Sequence, residues 1–242
     1  MQPLLIALQF LTRIPIRLAG MPTAEQQGRS LLYYPLVGLL LGGLLWLLQQ
    51  LLAGTAPLLQ AALLLAAWVA LSGGLHLDGL ADSADAWVGG MGDRERTLAL
   101  MKDPCCGPMA VVVLLLVLLL KFAALVALLE SGTLAALLLA PLLGRSAVLA
   151  LILGTPYVRQ GGIGQLLASH LPHPAAKAVL LAVAVGCLLL FGTTGLWALL
   201  LAGVTLFGVR RALMRRLQGT TGDTAGALQE LVECVVLVGL AL

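Results

Sequence analysis

The sequence predicts an all-α, polytopic membrane bundle of about seven transmembrane helices, within a range of six to eight, with a cytoplasmic N-terminus. Three observations predict it. The chain is 60% hydrophobic and only 10% charged, with a mean hydropathy of +1.04, whereas a soluble domain keeps about 25% charged residues to stay hydrated. Its apolar residues fall into runs long enough to cross a hydrocarbon core, which takes about 20 helical residues. Nearly all the basic residues lie in alternate links between those runs.

In order, the runs are 31–53, 57–76, 109–129, 134–154, 175–191, 194–209 and 225–242. The links Gly54-Thr55, Ser131-Gly132-Thr133 and Gly192-Thr193 are so short that they predict tight helical hairpins. The other links, the run end beside them at Lys177 and the N-terminal segment hold Arg13, Arg17, Arg29, Arg94, Arg96, Lys102, Arg159, Lys177, Arg210, Arg211, Arg215 and Arg216, which is 12 of the 14 Lys and Arg residues. The remaining two, Lys121 and Arg145, fall within spans. The positive-inside rule then places the N-terminus and the charged links in the cytoplasm.

No long polar stretch could fold as a soluble domain, so residues 1–242 read as a single integral-membrane domain. Pro3, Arg13, Pro15 and Arg17 interrupt any signal-peptide core, and residues 1–30 read as a cytoplasmic interfacial segment. The main cytoplasmic loops are expected near 77–108, 155–174 and 210–224. The net charge of +3, without basic residues clustered among aromatics, argues against nucleic acid as a partner. Cys105, Cys106, Cys187 and Cys234 lack zinc or redox spacing and read as free thiols.

The chemistry concentrates at the end of the second run. Asp78, Asp82 and Asp85 stand at i, i+4 and i+7, within about 60° of one another on a helical face. No basic residue lies among them. Close carboxylates coexist when protonated, solvated or bound to a cation, and hard oxygen ligands at this spacing suit Mg2+, which also takes phosphate oxygens. Gly73, Gly74 and Gly79 beside them permit close approach, while His76 points to another side. Lys102 and Asp103 either contact a phosphate and the metal or are ordinary charges at a helix boundary.

Further on, Gly219-Thr220-Thr221-Gly222 precedes the last run, where Thr221 can offer donors to an anion. Asp223 and Glu230 share one face of that run, and Glu230 and Glu233 enter it. Ionisable groups inside a span are costly and default to function. Arg145 is expected to face inward and to pair with an acid or a phosphate, and Lys121 is either a similar functional case or a structural ion-pair partner. Carboxylates, Mg2+ and arginines at an interface suit phosphoryl transfer, in which positioning and charge neutralisation do most of the work.

These stretches resemble the cobalamin synthase family, the adenosylcobinamide-GDP ribazoletransferases. The resemblance is carried by Phe10-Leu-Thr-Arg-Ile-Pro15, Gly73-Gly-Leu-His-Leu-Asp-Gly-Leu-Ala-Asp-Ser-Ala-Asp85, Met101-Lys-Asp-Pro104 and Gly222-Asp-Thr-Ala-Gly226 with Glu230. It implies attack of α-ribazole, or its 5′-phosphate, on the cobinamide-linked phosphate of adenosylcobinamide-GDP, with GMP leaving. It also implies Mg2+ dependence, a place in the bacterial inner membrane with the site facing the cytoplasm, and Asp78, Asp82 and Asp85 as metal ligands. Lys102 and Asp103 match the family's basic-acidic pair, whereas Cys105 stands where relatives often carry a basic residue. The implied partners are the two substrates and the lipid bilayer, with room for oligomers and for contacts with other cobalamin-pathway enzymes. One of the aspartates, or Glu230, would be the general base. CDP-alcohol phosphotransferases run parallel chemistry, but their acidic spacing differs, so the likeness is one of mechanism. The competing reading is a secondary transporter that uses Lys121, Arg145, Glu230 and Glu233 as an ion path. Against it, the acids crowd one interface and no internal repeat is evident.

Overall fold

The computed structural model describes residues 2–18 and 20–242. Its helices are α1 (Gln2–Leu11), α2 (Ala24–Ser30), α3 (Tyr34–Leu51), α4 (Pro57–Ser72), α5 (Leu75–Gly89), α6 (Arg94–Leu100), α7 (Pro108–Ser131), α8 (Ala135–Gly154), α9 (Ile163–Ser169), α10 (His173–Arg216) and α11 (Gly222–Ala241). A single 3-10 turn, Leu31–Tyr33, joins α2 to α3. Among the described residues no strand forms, and the one bridge pairs Tyr157 with Thr220. Leu- and Ala-rich runs favour helix, and their ends carry the expected punctuation. Proline lies in the first two positions of α3, α4, α7 and α10, and left-handed glycines, Gly73 and Gly132, close α4 and α7.

Five helical runs are long and apolar enough to cross a membrane, and the bent pair α4 and α5 makes a sixth. The chain is thus a multi-pass membrane protein. Helix α10 counts as one run of 44 residues, yet a straight helix of that length would span about 66 Å, twice a hydrocarbon core. It doubles back instead. Gly192 adopts φ +54°, ψ −125°, and bare Gly195 lies against the Cys187 carbonyl, where a Cβ would collide. In a continuous helix those two residues would be about 12 Å apart. The expected spans 175–191 and 194–209 are therefore the two arms of this hairpin.

The expected span 57–76 is shortened, because the chain turns by 88° between α4 and α5. Gly73 and Gly74, at φ +69° and +70°, make that corner, since consecutive left-handed residues cannot continue a helix. The three aspartates consequently sit on α5, the turned-aside half of that bent pair, beyond the corner.

Helix α8 forms the centre, packed between α3, α10 and α11. Of its most apolar stretch 72% is buried, against 11% for α10, so α10 lies at the lipid-facing edge. Helix α3 approaches α8 through Gly38 and Gly42. A Cβ on Gly42 would lie 2.7 Å from the Leu137 carbonyl oxygen, the close backbone approach that holds helices together in lipid. The charged links converge at one end of this bundle. There Arg94 donates to the Leu217 carbonyl at 2.8 Å, Arg216 to Trp87 at 2.6 Å and Arg210 to Gly154 at 2.8 Å.

Candidate active site

At the charged end α5 crosses the start of α11, and two glycines set how closely. A Cβ on Gly79 would meet the Asp223 carbonyl at 2.8 Å, and one on Gly226 would meet the His76 Cα at 3.2 Å. This crossing brings Asp78 and Asp82 of α5 toward Asp223 in the first turn of α11. Asp78 is exposed and Asp82 half-buried. Burial pushes the Asp82 carboxyl up to about 6, and the negative charges of Asp78, Asp223 and Asp85 push the same way against Arg159.

Arg159 is the cation of the site. Its guanidinium donates to Asp223 at 2.7 Å and to the Met101 carbonyl at 3.4 Å. The loop carrying it is held by backbone pairing: Val158 donates to Thr220 at 3.0 Å and Thr220 to Pro156 at 2.8 Å. The Gly222 N–H donates to the Tyr157 hydroxyl at 3.1 Å. A cavity of about 190 Å³ opens between these elements, walled by Phe10, Tyr34, His76, Tyr157 and Ile152, with Asp78 and Asp223 at its acidic side. His76 is buried, and its Nδ1 has no hydrogen-bond partner among the described residues.

The other expected site residues lie elsewhere. Asp85 turns to α7, where its carboxylate accepts the N–H groups of Gly107 at 2.6 Å and Ala110 at 3.0 Å. It thus neutralises the orphan donors of that helix start. Thr221 is fully buried and caps α11 by accepting the Thr224 N–H. Lys102 and Asp103 are exposed in the loop before α7, and Asp103 accepts the Cys105 N–H at 3.0 Å.

Glu230 and Arg145 belong to a second, sealed cluster. Lys121 donates to Glu230 at 2.6 Å and to Glu233 at 2.7 Å, and Arg145 pairs with Glu233. All four are at most 4% exposed. Lys121 also lies 5.0 Å from the Trp68 ring centre. Arg145 therefore meets an acid, and Glu230 is held by a lysine, away from the open carboxylates. Among the described residues no three His, Cys, Asp or Glu side chains converge into a ready-made ligand set.

Sequence reasoning had counted Arg159 only toward the basic excess and had passed over Tyr157. No spacing signals either, because their partner segment begins some 60 residues later, Asp223 standing 64 positions after Arg159.

Fold and site together define a class: a multi-pass helical membrane protein with an acidic, arginine-bearing crevice at one end of its bundle. Comparison with known proteins makes this specific. A family described as Cobalamin-5-phosphate synthase matches residues 3–241. The chain is 69% identical to an adenosylcobinamide-GDP ribazoletransferase of Stutzerimonas stutzeri strain A1501, over 100% of this chain and 98% of that one. It is 66% identical to a protein of the same name from Pseudomonas fluorescens strain Pf-5, over the full length of both. A third of that name, from Pseudomonas savastanoi pv. phaseolicola, is 62% identical, again over both full lengths. No solved structure matches. The chain belongs to the cobalamin-5-phosphate synthase family.

Proposed function

We propose that this protein is the adenosylcobinamide-GDP ribazoletransferase of its cell. It joins α-ribazole, or its 5′-phosphate, to adenosylcobinamide-GDP and releases GMP, with Mg2+ as cofactor, at the cytoplasmic face of a bacterial inner membrane. The names of the full-length relatives support the reaction. The basic excess at the charged end supports the orientation.

One arrangement carries the chemistry: Asp78 and Asp223 line the same cavity, Asp82 follows Asp78 by about one helical turn, and Arg159 is the cation paired to Asp223. Such an excess of negative charge fits a divalent cation. Mg2+ commonly takes one or two carboxylates and completes its shell with phosphate oxygens and water. Asp78 and Asp82 would hold it, with Asp223 beside them, and the ion would neutralise the diphosphate and the leaving phosphate.

The protein's own groups do the rest. Arg159 fixes the Asp223 carboxylate, so the acid does not swing onto the substrate's phosphates. The Phe10, Tyr34 and Tyr157 walls exclude water from one side of the acids and suit a flat aromatic base. The attacking hydroxyl oxygen forms the new P–O bond, the bond to the GMP phosphate breaks, and GMP departs with the bridging oxygen. The hydroxyl proton passes to a carboxylate of the open group.

The test is GMP release by detergent-purified protein from adenosylcobinamide-GDP, dependent on α-ribazole and abolished by EDTA. Transport needs two compartments; this assay has one. A protein that releases no GMP in detergent, yet moves a solute in vesicles, would sink the enzymatic reading.

A further inference from the structure

Asp78 stands between two cavities, and the function described so far uses one of them. The second, about 430 Å³, is bounded by Arg13, Ser72, Gly73 and Gly74, and it shares Phe10, Leu75 and Asp78 with the first. The chain has built Arg13 into this wall. The Arg13 backbone N–H donates to the Leu71 carbonyl at 2.8 Å. Its side-chain stem lies flat on Gly73, so closely that a Cβ there would be 2.7 Å from Cδ. Gly73 is thus needed twice, for its left-handed turn and for the arginine above it. Arg13 is exposed, and among the described residues its guanidinium makes no ion pair and no hydrogen bond, whereas Arg159 pairs with Asp223. A pinned stem with an unused planar fork beside a carboxylate suits a phosphate.

Resting on the phosphotransferase reading, we infer that Arg13 binds the phosphate of the departing GMP, and that the two cavities are the two sides of an in-line displacement. Phosphoryl transfer places the attacking and leaving oxygens roughly in line across phosphorus. A carboxylate group that positions the phosphorus therefore needs one space on each side. The aromatic cavity beyond Asp78 takes the attacking riboside. The polar cavity with Arg13 takes the guanylate. The bond to the leaving phosphate breaks toward Arg13, whose charge offsets the anion formed there.

The experiment measures GMP as a product inhibitor, and the KM of each substrate, for wild type, Arg13→Gln and Arg13→Lys in nanodiscs. Arg13→Gln is expected to weaken GMP inhibition and to raise the KM for adenosylcobinamide-GDP by about 10- to 100-fold, the worth of one charge-assisted hydrogen bond. The KM for α-ribazole stays unchanged, and Arg13→Lys recovers part of the loss. Equal weakening of both substrates, or none of either, overturns the assignment.

A phosphate anion could also come from a lipid headgroup, so the discs are made with zwitterionic lipid alone and with added anionic lipid. An Arg13 effect confined to the anionic discs identifies a headgroup contact and overturns the inference. In wild type, GMP is expected to protect Arg13 from phenylglyoxal, read by peptide mass, where α-ribazole does not. Protection by α-ribazole instead also overturns it, and this arm does not depend on the variants folding. Wild type that turns over normally while Arg13 variants keep wild-type GMP inhibition defeats only this inference. Wild type that releases no GMP defeats the reading beneath it.

Discussion

Helix α11 carries two sets of acids, Asp223 in its first turn and Glu230 with Glu233 about two turns deeper, and the protein treats them oppositely. The deep pair is balanced by Lys121 and Arg145 and shut away from solvent. The shallow acid shares its space with Asp78 and Asp82, has one arginine for company, and opens onto a cavity. Balanced charge inside lipid is a structural solution, because removing either partner leaves an uncompensated buried ion. Unbalanced charge at the rim is the arrangement on which the proposed cation site rests. Both sets read alike as carboxylates in an apolar run, and only their partners separate tether from tool.

The sharpest break of that contrast is Asp78→Asn or Asp82→Asn. Each is expected to lower kcat by about 100- to 1,000-fold, as removal of a group that stabilises transition-state charge does, while thermal stability stays near wild type. A variant turning over normally would place the metal chemistry elsewhere.

In the deep cluster the expectation reverses. Glu233→Gln should destabilise by roughly 3–5 kcal/mol, because Arg145 and Lys121 lose an acid between them. It should show as a lost or lowered melting transition, with the surviving folded fraction still releasing GMP. A catalytic collapse in a fully stable Glu233→Gln protein would revive the ion-path reading.

Asp85 tests the boundary between the two roles. If it serves only to hold the start of α7, Asp85→Ala costs about 1 kcal/mol, and Asp85→Asn, which keeps an acceptor oxygen at the same reach, restores stability and activity together. Inactivity of a stable Asp85→Asn protein would instead return Asp85 to the ligand set.

Proton dependence gives a gentler effect. The Asp82 carboxyl takes up its proton near pH 6 in the folded protein and near 3.8 in the unfolded chain. The folded state therefore holds the extra proton between those values, and metal-free protein should lose some stability as pH rises through that window. Mg2+ competes with the proton, so its apparent affinity should fall as pH drops below about 6. A flat Mg2+ titration from pH 5 to pH 8, read by melting temperature, would contradict this.

The smallest expected effect is at Arg159. Its pair with Asp223 is partly exposed, with side chains 28% and 19% accessible, so Arg159→Gln should cost less than about 1 kcal/mol of stability. Turnover should nevertheless fall, because Asp223 loses its restraint.

Much of this was legible in the chain and some was not, for physical reasons. Hydropathy marks the spans because lipid demands continuous apolar helix, and even the turn at Gly192 follows from a run too long to cross once. The helical spacing of Asp78, Asp82 and Asp85 is a local property and survives in α5. Their destinations are not local. Asp85 finds the N–H of Gly107 22 residues on, and Glu230 finds Lys121 across 109 residues. Gly73 and Gly74 look like spacers for close approach, and nothing nearby announces that both take left-handed geometry and turn the helix aside.

The deep ion cluster also fixes the shallow site in space. Advancing α11 by one residue would shift it by about 1.5 Å and rotate it by about 100°, tearing Glu230 and Glu233 from Lys121 and Arg145. The helix is in effect keyed to α7 and α8, and Asp223 inherits that registry two turns away. Its carboxylate thus faces α5 at one height and one bearing, set by a lock that no substrate touches.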